Sequence, residues 1–167
     1  LGPAVADVTH HPHQPTAFED LVVTARVEPT HEPIGAVWLS VRINHWMENI
    51  FTFGEMLPMA DDGAGPDAVA GDGVYSAVIP SQYYQGGDMV RWFVLATDEQ
   101  GRSTRDPLFP APEDSPEYYG TVVEDPALSS DLPVLYWFAE EPARANTRSG
   151  TRASVFFDGE FYDNVFV

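Results

Sequence analysis

The chain has 167 residues, 26 acidic and 8 basic side chains, and a net charge of -18 without a single lysine. A field of that sign repels phosphate backbones and anionic lipid heads, which excludes nucleic acid as a partner. No apolar run approaches the ~20 residues of a helical bilayer span, and membrane insertion is not expected. The absence of cysteine removes disulfides, thiolate metal sites and cysteine nucleophiles, and a hydrophobic content of 44% supplies an ordinary core.

Taken in chain order, period-2 alternation dominates the first 125 residues. Residues 4–9 read as a first strand, followed by a Pro- and His-rich connector at 10–15. In residues 21–27, Leu21, Val23, Ala25 and Val27 share one face, with Thr24 and Arg26 opposite. In 37–43, Val37, Leu39, Val41 and Ile43 point one way and Ser40 and Arg42 the other. Residues 51–59 form a further strand or a pair of short ones after an aromatic loop around Trp46. An acidic loop then leads into a strand at 74–79. Residues 90–96 place Val90, Trp92, Val94 and Ala96 on one face, before a hairpin turn at 98–101. Residues 118–123 close the set. Seven or so short strands with turn residues between them, and no convincing helix, predict an all-β chain: a two-sheet sandwich of immunoglobulin or fibronectin III kind over residues 1–124.

Residues 125–133 read as a linker rich in proline, serine and acid. Beyond it the pattern changes to a short α+β segment, 134–167. A strand at 134–138 precedes a short helix within 140–148, with Pro142 in its first turn. A hairpin of 153–157 and 161–167 follows across Asp158-Gly159. So few residues cannot bury a core alone. This tail is expected to dock on the sandwich, to pair with another chain, or to belong to a domain whose remainder lies elsewhere. Without a leading methionine or a signal peptide, the chain reads as a mature product or a cut fragment.

The acidic loop is the first candidate site. Asp61, Asp62, Asp67 and Asp72 crowd together among Gly63, Gly65, Gly71 and Gly73. Calcium takes about six to eight oxygens, and these carboxylates can supply several while glycines free the backbone to wrap the ion. The spacing is not that of an EF-hand, and the alternative is a solvated turn in which Asp and Gly serve turn geometry alone. His10, His11 and His13 form a second cluster; His11 and His13 share a face if the segment is extended, a spacing that suits Zn2+ or Ni2+, against the alternative of an exposed connector. Aromatics such as Trp46, Phe51, Phe53, Tyr83, Tyr84, Tyr118 and Tyr119 serve either the core or sugar stacking.

Phe93 and Leu95 fall on the outer face of their strand, and an apolar outer face marks a surface that something covers, either the tail or another subunit. Phe156, Phe161, Tyr162 and Val165 of the tail complete the expected partner interface. No nucleophile elbow, zinc-protease motif or phosphate-cradling loop occurs, so no catalytic residue is assigned.

Three stretches of the first part, LVVTARV (21–27), PMADDGAGPDAVAGDGVYSAVIP (58–80) and VRWFVLATDEQGRSTR (90–105), resemble the immunoglobulin-like modules that precede CotH-type (spore-coat protein H) kinase domains in large exported bacterial proteins. Two later stretches, SDLPVLYWF (130–138) and ASVFFDGEFYDNVFV (153–167), resemble the opening of the CotH domain itself. The resemblance implies an atypical protein kinase that acts on secreted or surface proteins. Its nucleotide- and metal-binding aspartates would lie beyond residue 167, and none is carried onto this chain. The expectation is therefore a non-catalytic extracellular or cell-surface module for spacing, docking or protein–protein interaction, with Ca2+ in the acidic loop. The alternatives are a filament subunit that self-associates by strand addition of its tail, and a glycan-binding module.

Overall fold

The computed structural model describes residues 1–45 and 50–167, with side chains described at 1–45 and 54–167. The chain is all-β. One antiparallel sheet (sheet A) has the order β1 (Ala4–His11), β2 (Leu21–Glu28), β5 (Val74–Ile79). The second (sheet B) has the order β4 (Ile50–Pro58), β3 (Ile34–His45), β6 (Met89–Asp98), β7 (Ser103–Asp106). β8 (Tyr119–Val122) also pairs with β6, so β7 lies along Val94, Leu95, Ala96 and Thr97 while β8 lies along Met89, Val90, Arg91 and Trp92 of the same edge.

Alternation explains why these two sheets stack. The faces expected from the sequence are buried together: Leu21, Val23, Ala25 and Val27 of β2, Val37, Leu39, Val41 and Ile43 of β3, and Val90, Trp92, Val94 and Ala96 of β6. Ile79 and Ala77 of β5 close the core from sheet A. A one-residue slip in any of these strands would turn its whole apolar set to solvent, so the register is strongly fixed.

A third sheet (sheet C) has the order β11 (Glu160–Phe166), β10 (Arg152–Phe157), β9 (Leu135–Ala139), and it docks on the outside of sheet B in the same chain. Phe138 and Phe156 join Met89 and Val122 in a second buried cluster, with Tyr136 and Phe161 packed against it. Gly120 of β8 is required here: a Cβ at that position would lie 2.5 Å from the Phe161 ring.

Three expectations need correction. β1 runs on through His10 and His11, which pair with Val23 and Val22, so these two residues are strand and not connector. The helix expected within 140–148 shrinks to α1 (Pro142–Ala145), a single turn without a side-chain cap. β7 was not anticipated, because its sequence STRD has no apolar alternation; its pairing with β6 makes it a strand.

Candidate functional site

The acidic loop leaves β4 and returns to sheet A through a bridge between Ala60 and Ser76. Its shape is set by carboxylates that collect backbone N–H groups. Asp61 accepts from Gly71 (2.6 Å) and Asp72 (3.2 Å) at Oδ1 and from Gly73 (2.9 Å) at Oδ2. Gly71 and Gly73 reach it with φ of 74° and 83°, a conformation that suits glycine. Asp67 is buried and accepts from Gly63 (2.6 Å) at Oδ2 and from Val69 (3.3 Å) at Oδ1. Asp72 accepts from Val74 at 2.9 Å, while Val27 N–H bonds the Gly73 carbonyl and ties the loop to β2.

The result brings one carboxylate oxygen from each of Asp61, Asp67 and Asp72 within 4.8 Å of the others, a group that could hold a metal ion. Among the described residues it is the only such gathering of three or more His or acidic side chains. Asp62 stands apart, exposed, with Oδ1 accepting from Ala64 N–H at 3.0 Å in a local turn. Three of the four predicted ligands therefore converge. Three like charges at this separation repel one another, and a hard cation with carbonyl and water oxygens completing its shell would relieve that repulsion.

The histidines arrange differently from expectation. His10, not His11, meets His13: their rings stack with centroids 5.6 Å apart, and His10 Nε2 lies 3.0 Å from the His13 carbonyl. The His10 ring also sets its edge on Trp92, at 5.0 Å. Burial lowers the pKa of His10, partly offset by that carbonyl. Trp46 lies outside the described residues, as do the side chains of Phe51 and Phe53. Tyr84 and Tyr118 are buried, whereas Tyr83 and Tyr119 are half-buried.

The expected partner residues divide. Phe93 is half-buried under its own chain, with the Arg105 guanidinium 4.0 Å from the ring centroid and Tyr118 at 5.9 Å. Leu95 lies between Trp38 and Arg105 in the sheet register. Phe156 and Phe161 face the sandwich. Tyr162 points away and is 52% exposed, and Val165, half-buried, pairs with Ala153.

Sequence reasoning missed the polar seam beneath the tail. Arg91, buried on the outer face of β6, donates to Asn44 Oδ1 (2.9 Å) and to Ser154 Oγ (3.0 Å), and its guanidinium lies 4.9 Å from the Tyr118 ring centroid. Ser154 donates to Asp163 Oδ1 at 2.6 Å, and Asp163 Oδ2 accepts the N–H groups of Glu117 and Tyr118. Burial works against the charge on Arg91, and Asp163 supports it. The available signal was an arginine inside MVRWFVLA, a run otherwise apolar on both faces.

No protein-family model and no curated protein matches the chain. Among solved structures, it is similar to an uncharacterized protein from Listeria monocytogenes EGD-e in complex with alpha-D-glucose, beta-D-glucose, magnesium and calcium, at TM-score 0.42 and 14% identity. The match covers 90% of this chain and 12% of that one, so the chain spans about an eighth of the length of that protein.

Proposed function

We propose that the chain is a non-catalytic, extracellular or cell-surface β-sandwich module of an exported protein, a spacing and docking unit whose acidic loop is clamped by Ca2+. The observation that carries this reading is the convergence of Asp61, Asp67 and Asp72 on one point between β4 and β5. Calcium is favoured over magnesium because three converging carboxylates, completed by carbonyl and water oxygens, suit an ion that takes about six to eight oxygens, whereas magnesium is usually held by one or two carboxylates and keeps several waters. The net charge of -18 favours cations over anionic ligands, and the resemblance of 58–80, 130–138 and 153–167 to CotH-type exported proteins agrees with a place outside the cell.

The test is a thermal melt in EDTA and then in calcium, with magnesium as a control. An ion that binds only the folded state at ~100 times its Kd contributes ~2.7 kcal/mol, or roughly 5–10 °C in a chain of this size. That rise should saturate with calcium and vanish in Asp61→Asn/Asp72→Asn. A melting temperature indifferent to calcium would reduce the loop to a solvated turn and remove the clamp from the reading.

A further inference from the structure

Residues 126–133 join the sandwich to sheet C, and every one of them is exposed. Their hydrogen bonds stay local. Leu128 N–H bonds the Asp125 carbonyl at 3.0 Å, Ala127 N–H bonds Asp125 Oδ1 at 2.9 Å, and Leu132 N–H bonds Ser130 Oγ at 3.1 Å. Other long connections among the described residues are tied to the body of the molecule. Thr121 and Tyr84 hold the carbonyls of His13 and Glu19 in the loop after β1. Val27 N–H holds the Gly73 carbonyl of the acidic loop, and Asn164 holds the carbonyls of Pro112 and Ser115 between β7 and β8. Opening any of those loops breaks bonds to neighbouring elements, whereas opening 126–133 breaks its own local bonds and leaves both bodies intact.

We propose that this segment is a processing site: an endopeptidase hydrolyses the Leu128–Ser129 bond, and the pieces 1–128 and 129–167 stay together as one non-covalent complex. A peptidase takes its substrate as an extended strand with side chains in pockets, and this stretch can supply one once its local turn opens. Leu128 and Leu132 offer apolar side chains, 45% and 75% exposed. Leu132 is followed by Pro133, whose ring and missing N–H make that bond a poor substrate, so Leu128 marks the site. Water adds across the bond: the C–N bond breaks, the hydroxyl goes to the Leu128 carbonyl carbon and the proton to the Ser129 nitrogen. The new carboxylate and ammonium arise in a solvated stretch, so neither is stripped of water. The contacts that keep the pieces together lie on both sides of the cut. Phe138 and Phe156 bury against Met89 and Val122, and Arg91 donates to Ser154. Asp163 accepts the N–H groups of Glu117 and Tyr118. The later piece, about 40 residues, cannot bury a core alone, so it keeps its fold while docked. In the uncut chain the joint makes docking intramolecular, and the cut turns it into a bimolecular equilibrium. The acidic loop and its ion take no part.

The test is a trace digestion of the whole chain in EDTA with an elastase-type serine endopeptidase, read by intact mass and gel filtration. The expected first products meet at Leu128–Ser129 and elute together at the volume of the uncut chain. The melting temperature of the cut complex should rise with protein concentration, because its unfolding releases two pieces, while that of the uncut chain should not. Leu128→Asp, at an exposed side chain, should leave the melting of the uncut chain unchanged. It should slow the first cut at least ~10-fold, since a pocket that takes an aliphatic side chain rejects a carboxylate. A first cut at any other bond, a Leu128→Asp chain cut as fast as the native one, pieces that elute apart, or a cut product whose melting ignores concentration would overturn the proposal.

Discussion

A protonated imidazole is costly where water is excluded, and His10 has its ring edge on Trp92 and its face on His13. Burial lowers its pKa from the ordinary 6.5, so the unfolded chain takes up a proton first as the pH falls. Stability from this group is complete above the unfolded value and is lost as the pH drops from there toward the folded value. Glu140 acts in the opposite sense. Burial raises its pKa, so it recovers some stability as the pH falls toward the carboxylate range. The two are separated by comparing variants: the urea midpoint should fall from about pH 7.5 to about pH 5.5 by more in the native chain than in His10→Gln. Equal falls in the two proteins would remove His10 from the pH response. Asp98 shows the contrary outcome of burial. Desolvation opposes its ionisation, yet the N–H groups of Gln100 and Arg102 and the Arg102 guanidinium outweigh that and hold its pKa below the usual range. It thereby keeps the β6–β7 turn closed.

At the scale of elements, the seam between sheets B and C combines a close approach with a buried charge. Gly120 admits the Phe161 ring, and Arg91 spans from Asn44 on β3 to Ser154 on β10. Replacing Arg91 by Met keeps the stem's packing but leaves Asn44 Oδ1 and the neighbourhood of Asp163 without their cation, a loss of about 3 kcal/mol. Hydrogen exchange should locate that loss in β9, β10 and β11, with the amides of β2, β3 and β6 still protected. Uniform loss across all three sheets would show that sheet C and the sandwich unfold as one unit. This seam also marks where sequence reading stops. The faces of β2, β3 and β6 were legible because period-2 alternation records burial on one side within a few residues. Asp61, Asp67 and Asp72 were legible as a crowded run, although only folding separates Asp62 from them. The pairing of Arg91 with Ser154 and Asp163 joins residues more than sixty positions apart, and no local period encodes it. His10 was misplaced for a related reason: its extension of β1 depends on a partner, Val23, in another strand.

For the whole molecule, 26 carboxylates against 8 arginines make compaction itself unfavourable, since folding gathers like charges that the unfolded chain holds further apart. Two distinct relief mechanisms follow, and they can be told apart. Monovalent salt screens all acids alike over about a Debye length. It should stabilise the chain in EDTA by about 1 kcal/mol, or roughly 2–4 °C, between low and moderate ionic strength. A divalent ion at the loop acts instead on three carboxylates held within 4.8 Å, and it should do so at concentrations too low to alter screening. The triple variant Asp61→Asn/Asp67→Asn/Asp72→Asn therefore separates them. It should retain most of the response to monovalent salt, because 23 acids remain, and lose the response to sub-millimolar calcium. Its melting temperature in EDTA should fall by a few degrees: each amide at 61 and 67 keeps a single acceptor oxygen and turns its NH2 group toward an N–H that the second carboxylate oxygen had accepted, such as Gly73 or Val69, a loss that the relief of mutual repulsion offsets only in part. A variant that kept the calcium response would place the ion among the remaining carboxylates. One that lost both responses would show that the loop dominates the molecule's self-repulsion, and that the net charge matters only where folding concentrates it.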